Sequence, residues 1–263
     1  MDEAVHDLRT SARRLLAALE AARPFLGARR YRRLSRRVEA VLDRSGALRD
    51  LGIELEMLPT VGISSAEPAL RRLRERLRDR HEQRARKLHR RLRRGSARGL
   101  QRDIRRVVKR FRRAKPSATA SAVRRAALDA ARERFARLRA SRLAVDPAEM
   151  ETIHAMRIEL KKVRYLMEAL RPVAVGVSNK ELESLHQLQT TMGDLHDLEV
   201  LSSTIARHVA RREPEAAAEV APVLEQLEVR HSAMLTSFLT AVDPILDAWG
   251  RILSSGRRWE GRR

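Results

Sequence analysis

The chain contains no cysteine, which excludes disulfide bonds and thiolate metal sites. Its 263 residues include only four Phe, two Tyr and two Trp, so a single-stranded nucleic-acid surface of stacked aromatic rings is not expected. Gly and Pro number only 11 and 9, and the scarcity of these helix breakers favours an all-helical fold. No apolar run approaches the ~20 residues that span a bilayer, and the N-terminus lacks the apolar core of a signal peptide. We therefore expect a cytoplasmic protein that does not associate with membranes.

Positive charge is what the chain has in excess, with a formal net charge of +22. Residues 71–113 alone hold 21 Lys or Arg against four acids. Leucines at helical spacing run through this segment, so we expect a folded amphipathic segment that steers anions toward the protein. A field of this size attracts nucleic acid, an anionic membrane or an inorganic polymer.

One basic helix signature occurs twice, as VHDLRTSARR from Val5 and as IHAMRIELKK from Ile153. In each copy an apolar residue precedes a His, an Arg follows three residues after it, and two cations follow at seven and eight. Positions i, i+3 and i+7 share one face of an α-helix, so each copy predicts a row of positive donors. The row lies about 100° from the apolar stripe, which predicts that it faces a cleft between packed helices.

Further segments match in the same order. GALRDL from Gly46 matches GDLHDL from Gly193, and LRDRH from Leu77 matches LEVRH from Leu227. Three matched pairs at nearly constant spacing predict an internal duplication. We expect an N-terminal helical half over residues 1–115, a C-terminal half over 122–254 and a basic tail over 255–263.

Local breakers predict where the helices begin and end. Asp146 and Pro147 suit the N-cap and first position of the helix that carries the second signature, and Pro172 suits its end. We also expect a break at Gly193. Further breaks are predicted at residues 59–62, 94–96, 115–121, 175–178 and 213–214.

These segments resemble the CHAD family, the conserved histidine α-helical domain. The resemblance rests on VHDLRTSARRL, IHAMRIELKKVRYLMEAL and LHDLEVL, and it covers the whole chain as a single domain. It implies two four-helix bundles related by pseudo-two-fold symmetry, with a basic cavity between them. It also implies binding of inorganic polyphosphate, for which phosphate or sulfate could stand in within a crystal. The sequence has no E-x-E-x-K segment and no strand-rich region, so we expect a stand-alone CHAD protein, with polyphosphate granules as a possible location. No catalytic residue, metal or cofactor is expected.

The predicted ligand site combines the cations and donors of the matched segments. Its members are His6, Arg9, Arg13, Arg14, Arg49, His154, Arg157, Lys161, Lys162, Arg164, Tyr165, His186 and His196. We expect a secondary cationic rim of Arg33, Arg37, Arg80 and Arg230. Arg holds phosphate oxygens through a planar fork and His adds an N–H donor. One such row could be a solvated helix face, but its recurrence favours ligand binding.

Two alternatives remain open from the sequence. Charge alone permits non-specific binding of nucleic acid through its phosphates. A metal phosphohydrolase could use His186, His196 and Asp197, but their spacing matches no recognised ligand set and no carboxylate cluster suits Mg²⁺. Asp50 and Asp197 are expected to be structural, because an acid that faces a polyanion repels it.

Overall fold

The computed structural model describes residues 2–61, 66–92, 97–113, 120–172, 174 and 177–255. Within these ranges the protein is all-helical and contains no strand, which confirms the all-helical part of the predicted fold. One-turn 3-10 segments at Leu58–Thr60 and Pro214–Ala216 follow the third helix and precede the ninth. The nine α-helices of the described ranges are α1 (Asp2–Ala21), α2 (Arg23–Leu26), α3 (Ala28–Met57), α4 (Glu67–Arg91), α5 (Ala97–Arg113), α6 (Ala120–Leu143), α7 (Met150–Leu170), α8 (Asn179–Arg212) and α9 (Ala217–Ser255).

Helix α8 runs without interruption through Gly193, so the predicted break at this glycine is wrong. Gly costs a helix interior about 1 kcal/mol relative to Ala. Buried Met192 and Leu195 flank the glycine and pack into the core, and this packing outweighs the local preference. The helix begins with a capping box in which Ser178 and Glu181 satisfy each other's backbone N–H groups.

The predicted start of the second-signature helix is also wrong. Helix α7 begins at Met150 with Glu149 as its N-cap. Asp146 forms a turn ahead of the helix instead, because its Oδ1 accepts a hydrogen bond from the Ala148 N–H at 2.9 Å.

The other breaks divide into confirmed ones and ones that lie outside the described residues. Helix α7 ends at Leu170 ahead of Pro172, Pro59 lies in a 3-10 segment, and Glu213 separates α8 from α9. Gly62, the predicted stretches 94–96 and 115–119, part of 175–178, and most of the basic tail fall outside the described residues, whereas residues 120–121 begin α6.

Two larger cores organise the molecule. Helices α6 to α9 enclose one core, which includes Leu160 and Leu185. The second core joins α4 to the C-terminal part of α8 and the start of α9, through residues such as Leu73, Leu201 and Val223. Because α8 and α9 contribute to both, two continuous helices join the two cores.

The helices that carry the repeated segments pack against one another. Helix α1 packs on α3 and α7, and α8 also packs on both α3 and α7, so the four form a closed ring. Arg134 of α6 bridges two members of this ring, since it donates to Glu20 of α1 at 3.1 Å and to Glu159 of α7 at 3.2 Å. None of the helices in the described part of the chain has the length and apolar character to cross a bilayer.

Candidate functional site

Five cations of the predicted set come together between α1, α3 and α7. We call Arg9, Arg13, Arg49, Arg157 and Lys161 the cation cluster. All five are half-buried. Burial lowers the pKa of Arg9, and the charges of Arg13, Arg49 and Arg157 lower it further. The two signatures and the first matched segment therefore supply one shared cluster.

Arg9 is held in place by the neighbouring helix. Its Nη1 donates to the Leu42 carbonyl oxygen at 2.7 Å and to Ser45 Oγ at 3.0 Å. Ser45 is buried and donates in turn to the Val41 carbonyl oxygen at 2.8 Å. These bonds use one nitrogen of the guanidinium and orient the group without neutralising it.

Lys161 has the most perturbed environment of the cluster. Burial lowers its pKa to about 7, with the charges of Arg157 and Arg13 adding to the effect and Asp197 opposing it. Burial likewise lowers the pKa of Arg157, again against Asp197. The next lysine differs, because Lys162 is exposed and its Nζ lies 2.6 Å from Glu159 Oε1.

Two histidines lie beside the cluster. The rings of His154 and His196 are 5.5 Å apart between centroids. Burial lowers the pKa of His196 to about 4, and Arg157, His154 and Lys161 contribute in the same direction. His196 is therefore neutral at pH 7 and presents one ring N–H donor rather than a charge. Burial raises the pKa of Asp197 against the charges of Arg157 and its neighbours.

Four further predicted residues lie outside the cluster. His6 is exposed on α1. Arg14 is also exposed, and its Nε lies 3.9 Å from Glu168 of α7. Lys162 pairs with Glu159 as described above. His186 is exposed on α8, about 15 Å along the helix axis from His196.

Arg164 and Tyr165 are buried side chains of α7, and Arg164 connects this helix to α8. The Nε of Arg164 donates to Gln189 Oε1 at 2.5 Å, and its Nη1 pairs with Glu168. The guanidinium lies 4.1 Å from the centroid of the Tyr165 ring. Arg164 thus joins α7 to α8 and lies over the Tyr165 ring, and neither side chain belongs to the cluster.

The predicted rim residues occupy three separate places. Arg33 lies 3.7 Å from Asp103 of α5, and Arg37 pairs with the same carboxylate, so both join α3 to α5. Arg230 is exposed on α9, and its charge lowers the pKa of Asp194 against the effect of burial. Arg80 alone of the four lines a pocket beside the cluster.

This pocket, of about 740 Å³, lies between α3, α4 and α8. We call it the arginine pocket after the six arginines of its wall: Arg76, Arg80, Arg84, Arg207, Arg211 and Arg212. Sequence reasoning named only Arg80. Arg76, Arg80 and Arg84 recur every four residues and so share one face of α4, which is a signal that the sequence already contained.

One buried acid forms part of the pocket wall. Glu54 is 6% exposed, and its Oε1 accepts a hydrogen bond from Thr204 Oγ1 at 3.0 Å. Its Oε2 is buried without a hydrogen-bond partner among the described residues. Burial raises the pKa of Glu54, although Arg207 and Arg80 act against the rise.

A hydrogen-bonded group holds α4 against the end of α8. Buried Glu213 accepts two hydrogen bonds from Arg72, at 2.9 Å from Nε and 2.6 Å from Nη2. The Nε2 of His208, which lines the pocket, lies 3.1 Å from Glu213 Oε1. These contacts fix the distance between the two arginine-bearing walls.

Asp50 connects the pocket to the cation cluster. It lines the arginine pocket, and its charge also opposes the burial that lowers the pKa of both Arg9 and Arg157. The two cationic regions therefore adjoin along α3. Across the described ranges, no three His, Asp or Glu side chains form a group that could hold a metal ion.

The family model for the CHAD domain matches residues 1–206. The chain belongs to the CHAD family. In this CHAD chain the match covers α1 to α7 and most of α8, and it includes all five residues of the cation cluster. No curated protein matches the chain.

Proposed function

We propose that this CHAD protein binds inorganic polyphosphate at the cation cluster and carries out no reaction on it. The observation that carries the proposal is the meeting of both signatures in one place. Arg9 and Arg13 come from α1, and Arg157 and Lys161 come from α7, yet the charges of Arg13 and Arg157 help to lower the pKa of both Arg9 and Lys161. The family is also consistent with polyphosphate binding.

The electrostatics of the cluster suit a polyanion. Cations that lower one another's pKa repel one another, and this repulsion is a cost that the protein bears when the cluster is empty. A phosphate chain relieves it, because each phosphate carries about one negative charge and its oxygens accept hydrogen bonds from Arg in pairs. Neutral His196 adds a donor without adding to the repulsion.

We also infer that the two halves are related by pseudo-two-fold symmetry as a pair of four-helix bundles. The matched segments support this arrangement, since they fall on α1 and α7, on α3 and α8, and on α4 and α9. Helices α1 and α7 contact each other, as do α3 and α8. Such an axis would pass between the two signatures and place the cluster in a basic cavity shared by both halves.

A direct comparison of ligands tests the function. Long-chain polyphosphate and RNA of matched charge are titrated against the protein at two salt concentrations, while released phosphate is measured. We expect tighter binding of polyphosphate, a steep loss of affinity with salt, and no phosphate release. Equal affinity for RNA would instead support a non-specific nucleic-acid-binding protein, and steady phosphate release would contradict the absence of catalysis.

A further inference from the structure

The arginine pocket has no part in the function proposed above, although it holds more arginines than the cation cluster. None of its six arginines pairs with a carboxylate within 4.0 Å among the described residues. Their neighbours on α4 differ, since Arg72 pairs with Glu213 and Arg86 lies 3.1 Å from Glu82. Within the described ranges, the six pocket arginines are therefore not neutralised by a direct ion pair.

The pocket also contains acids, and these do not neutralise it. Three carboxyl groups, Asp50, Glu54 and Asp79, share the wall with six arginines. Burial favours the neutral form of Glu54. The net charge of the wall is therefore clearly positive, and only an anionic ligand can offset it.

We propose that the arginine pocket is a second subsite for a phosphate chain, occupied by the part of the ligand that extends beyond the cation cluster. The identity of the ligand rests on the proposed function, whereas the existence of the subsite rests on the pocket itself. Half of the arginines, Arg207, Arg211 and Arg212, lie beyond the segment that the family model matches.

Size and lining favour a flexible chain of phosphates over a nucleotide. A volume of about 740 Å³ is in the range of sites that enclose whole small molecules. No Phe, Tyr or Trp is among the lining residues, so the wall has no aromatic platform for a base. The arginine donors come from two helices, α4 and α8, on opposite sides of the pocket. This arrangement allows successive phosphates of one chain to be contacted from both sides.

The two cationic regions can be reached by one ligand. Asp50 and Arg49 are adjacent on α3, and one belongs to the pocket wall while the other belongs to the cluster. Helix α8 contributes Asp197 beside the cluster and Arg207 in the pocket, about 15 Å apart along its axis. The chain of a long polyphosphate can therefore pass from one region to the other along α3 and α8.

Paired substitutions test the subsite. Arg76→Gln with Arg80→Gln removes two charges from one wall, and Arg207→Gln with Arg211→Gln removes two from the other. Arg78→Gln with Arg86→Gln is the matched control, because both residues are exposed on α4 and neither lines the pocket. All six side chains are exposed, and circular dichroism melting checks that each variant is folded.

Affinity for long-chain polyphosphate is measured over a salt series. We expect each pocket pair to weaken binding at least about tenfold and the control pair less than about twofold. A plot of log affinity against log salt concentration has a negative slope, and its magnitude should decrease by about 1.4 in the pocket variants. This is the change that two lost phosphate contacts give for a single-stranded polyanion. If the control pair loses as much affinity as the pocket pairs, the subsite proposal is wrong and the arginines act only through the overall positive charge.

A third variant separates the two proposals. Arg9→Gln with Arg13→Gln removes two charges from the cation cluster. Loss of binding in this variant, with pocket pairs that behave like the control, would retain the proposed function and reject the subsite. Loss in the pocket pairs with no effect of the cluster variant would show that the ligand binds only in the pocket.

Discussion

Lys161 and Lys162 are adjacent in the chain but have opposite environments. Lys162 is exposed and paired with Glu159, whereas Lys161 is half-buried among arginines. A pKa of about 7 means that the Lys161 amine is only partly charged in the empty protein near neutral pH. A bound phosphate chain stabilises the charged form, so binding should draw a proton onto this side chain.

This linkage predicts a pH dependence of affinity. Polyphosphate binding should be strongest below pH 7 and should weaken, by up to about tenfold, as the pH rises through the pKa of Lys161. Arg keeps its charge throughout, so Lys161→Arg should flatten the profile between pH 6 and 9. Isothermal titration at constant salt measures the effect, with Lys162→Arg as the control that keeps the wild-type slope. Parallel profiles for wild type and Lys161→Arg would assign the dependence to another group.

The stability of the folded protein should also depend on pH, through Glu54. Its folded-state pKa is raised by burial, so ionising it in the folded protein costs free energy at neutral pH and this cost disappears as the pH falls through that pKa. Glu54→Gln should therefore raise Tm by about 2–4 °C at pH 8 and leave it unchanged at pH 4. Thermal melts at both pH values test this, with exposed Glu56→Gln on the same helix as the control. An equal Tm gain at both pH values would show that charge is not the cause.

At the scale of the helices, the cation cluster depends on how α1 lies against α7. Arg134 of α6 is the main polar bridge between them, because it pairs with both Glu20 and Glu159 while only 11% of its side chain is exposed. Without this guanidinium the two carboxylates would be left near each other with no shared cation. The bridge therefore holds together the two helices that present the signatures.

Removing this bridge should be costly. Arg134→Ala is expected to lower the free energy of unfolding by about 3 kcal/mol, since it removes the partner of half-buried Glu20 and leaves Glu159 with only the exposed Lys162. Arg137→Ala on the same helix breaks only an exposed pair with Glu133 and should cost less than about 1 kcal/mol. Urea unfolding of both variants measures the difference. Similar losses in the two variants would show that apolar contacts, rather than the Arg134 bridge, stabilise the packing of α1 against α7.

Helical periodicity accounts for what the sequence could predict about these elements. The spacing of His6, Arg9 and Arg13 is a property of one helix, and so is that of His154 and Arg157, so the rows could be recognised locally. Arg164 and Tyr165 belong to the same run of residues, but their burial is a result of tertiary packing, in which Arg164 contacts Gln189 of α8. The predictions of a helix break at Gly193 and of an N-cap at Asp146 fail for a related reason. Core packing of the neighbouring residues keeps α8 helical through Gly193, and Asp146 forms a turn ahead of α7.

The arginine pocket could not be located from the sequence, because its two arginine-bearing walls, on α4 and α8, lie more than a hundred residues apart along the chain. Arg80 and Arg207 face the same space only because α4 packs on α8 and Glu213 ties the two together. The periodicity of Arg76, Arg80 and Arg84 showed a cationic face on α4. Which partner that face meets is a property of the tertiary structure.

For the whole molecule, the net charge of +22 is expected to raise the rate of encounter with any polyanion, while the clustered cations determine retention. Arg9→Gln with Arg13→Gln, and Arg157→Gln with Lys161→Gln, should each weaken polyphosphate binding at least about tenfold, mainly through faster dissociation. Stopped-flow kinetics separates the two rates, with Arg78→Gln and Arg86→Gln as a charge-matched control. A loss confined to the association rate would mean that these residues act only through the overall field.

The unbroken course of α8 has a consequence for selectivity. A helix of 34 residues without a hinge keeps His196, beside the cation cluster, and Arg207, in the arginine pocket, at a constant separation of about 16 Å. A phosphate chain bound along α8, as proposed above, would lie against both positions. An anion shorter than this interval can contact only the cation cluster or only the arginine pocket. A longer anion can bind both at once and gains affinity because the two contacts are linked. Discrimination by length would follow from the rigidity of one helix, which a uniform coat of positive charge cannot provide.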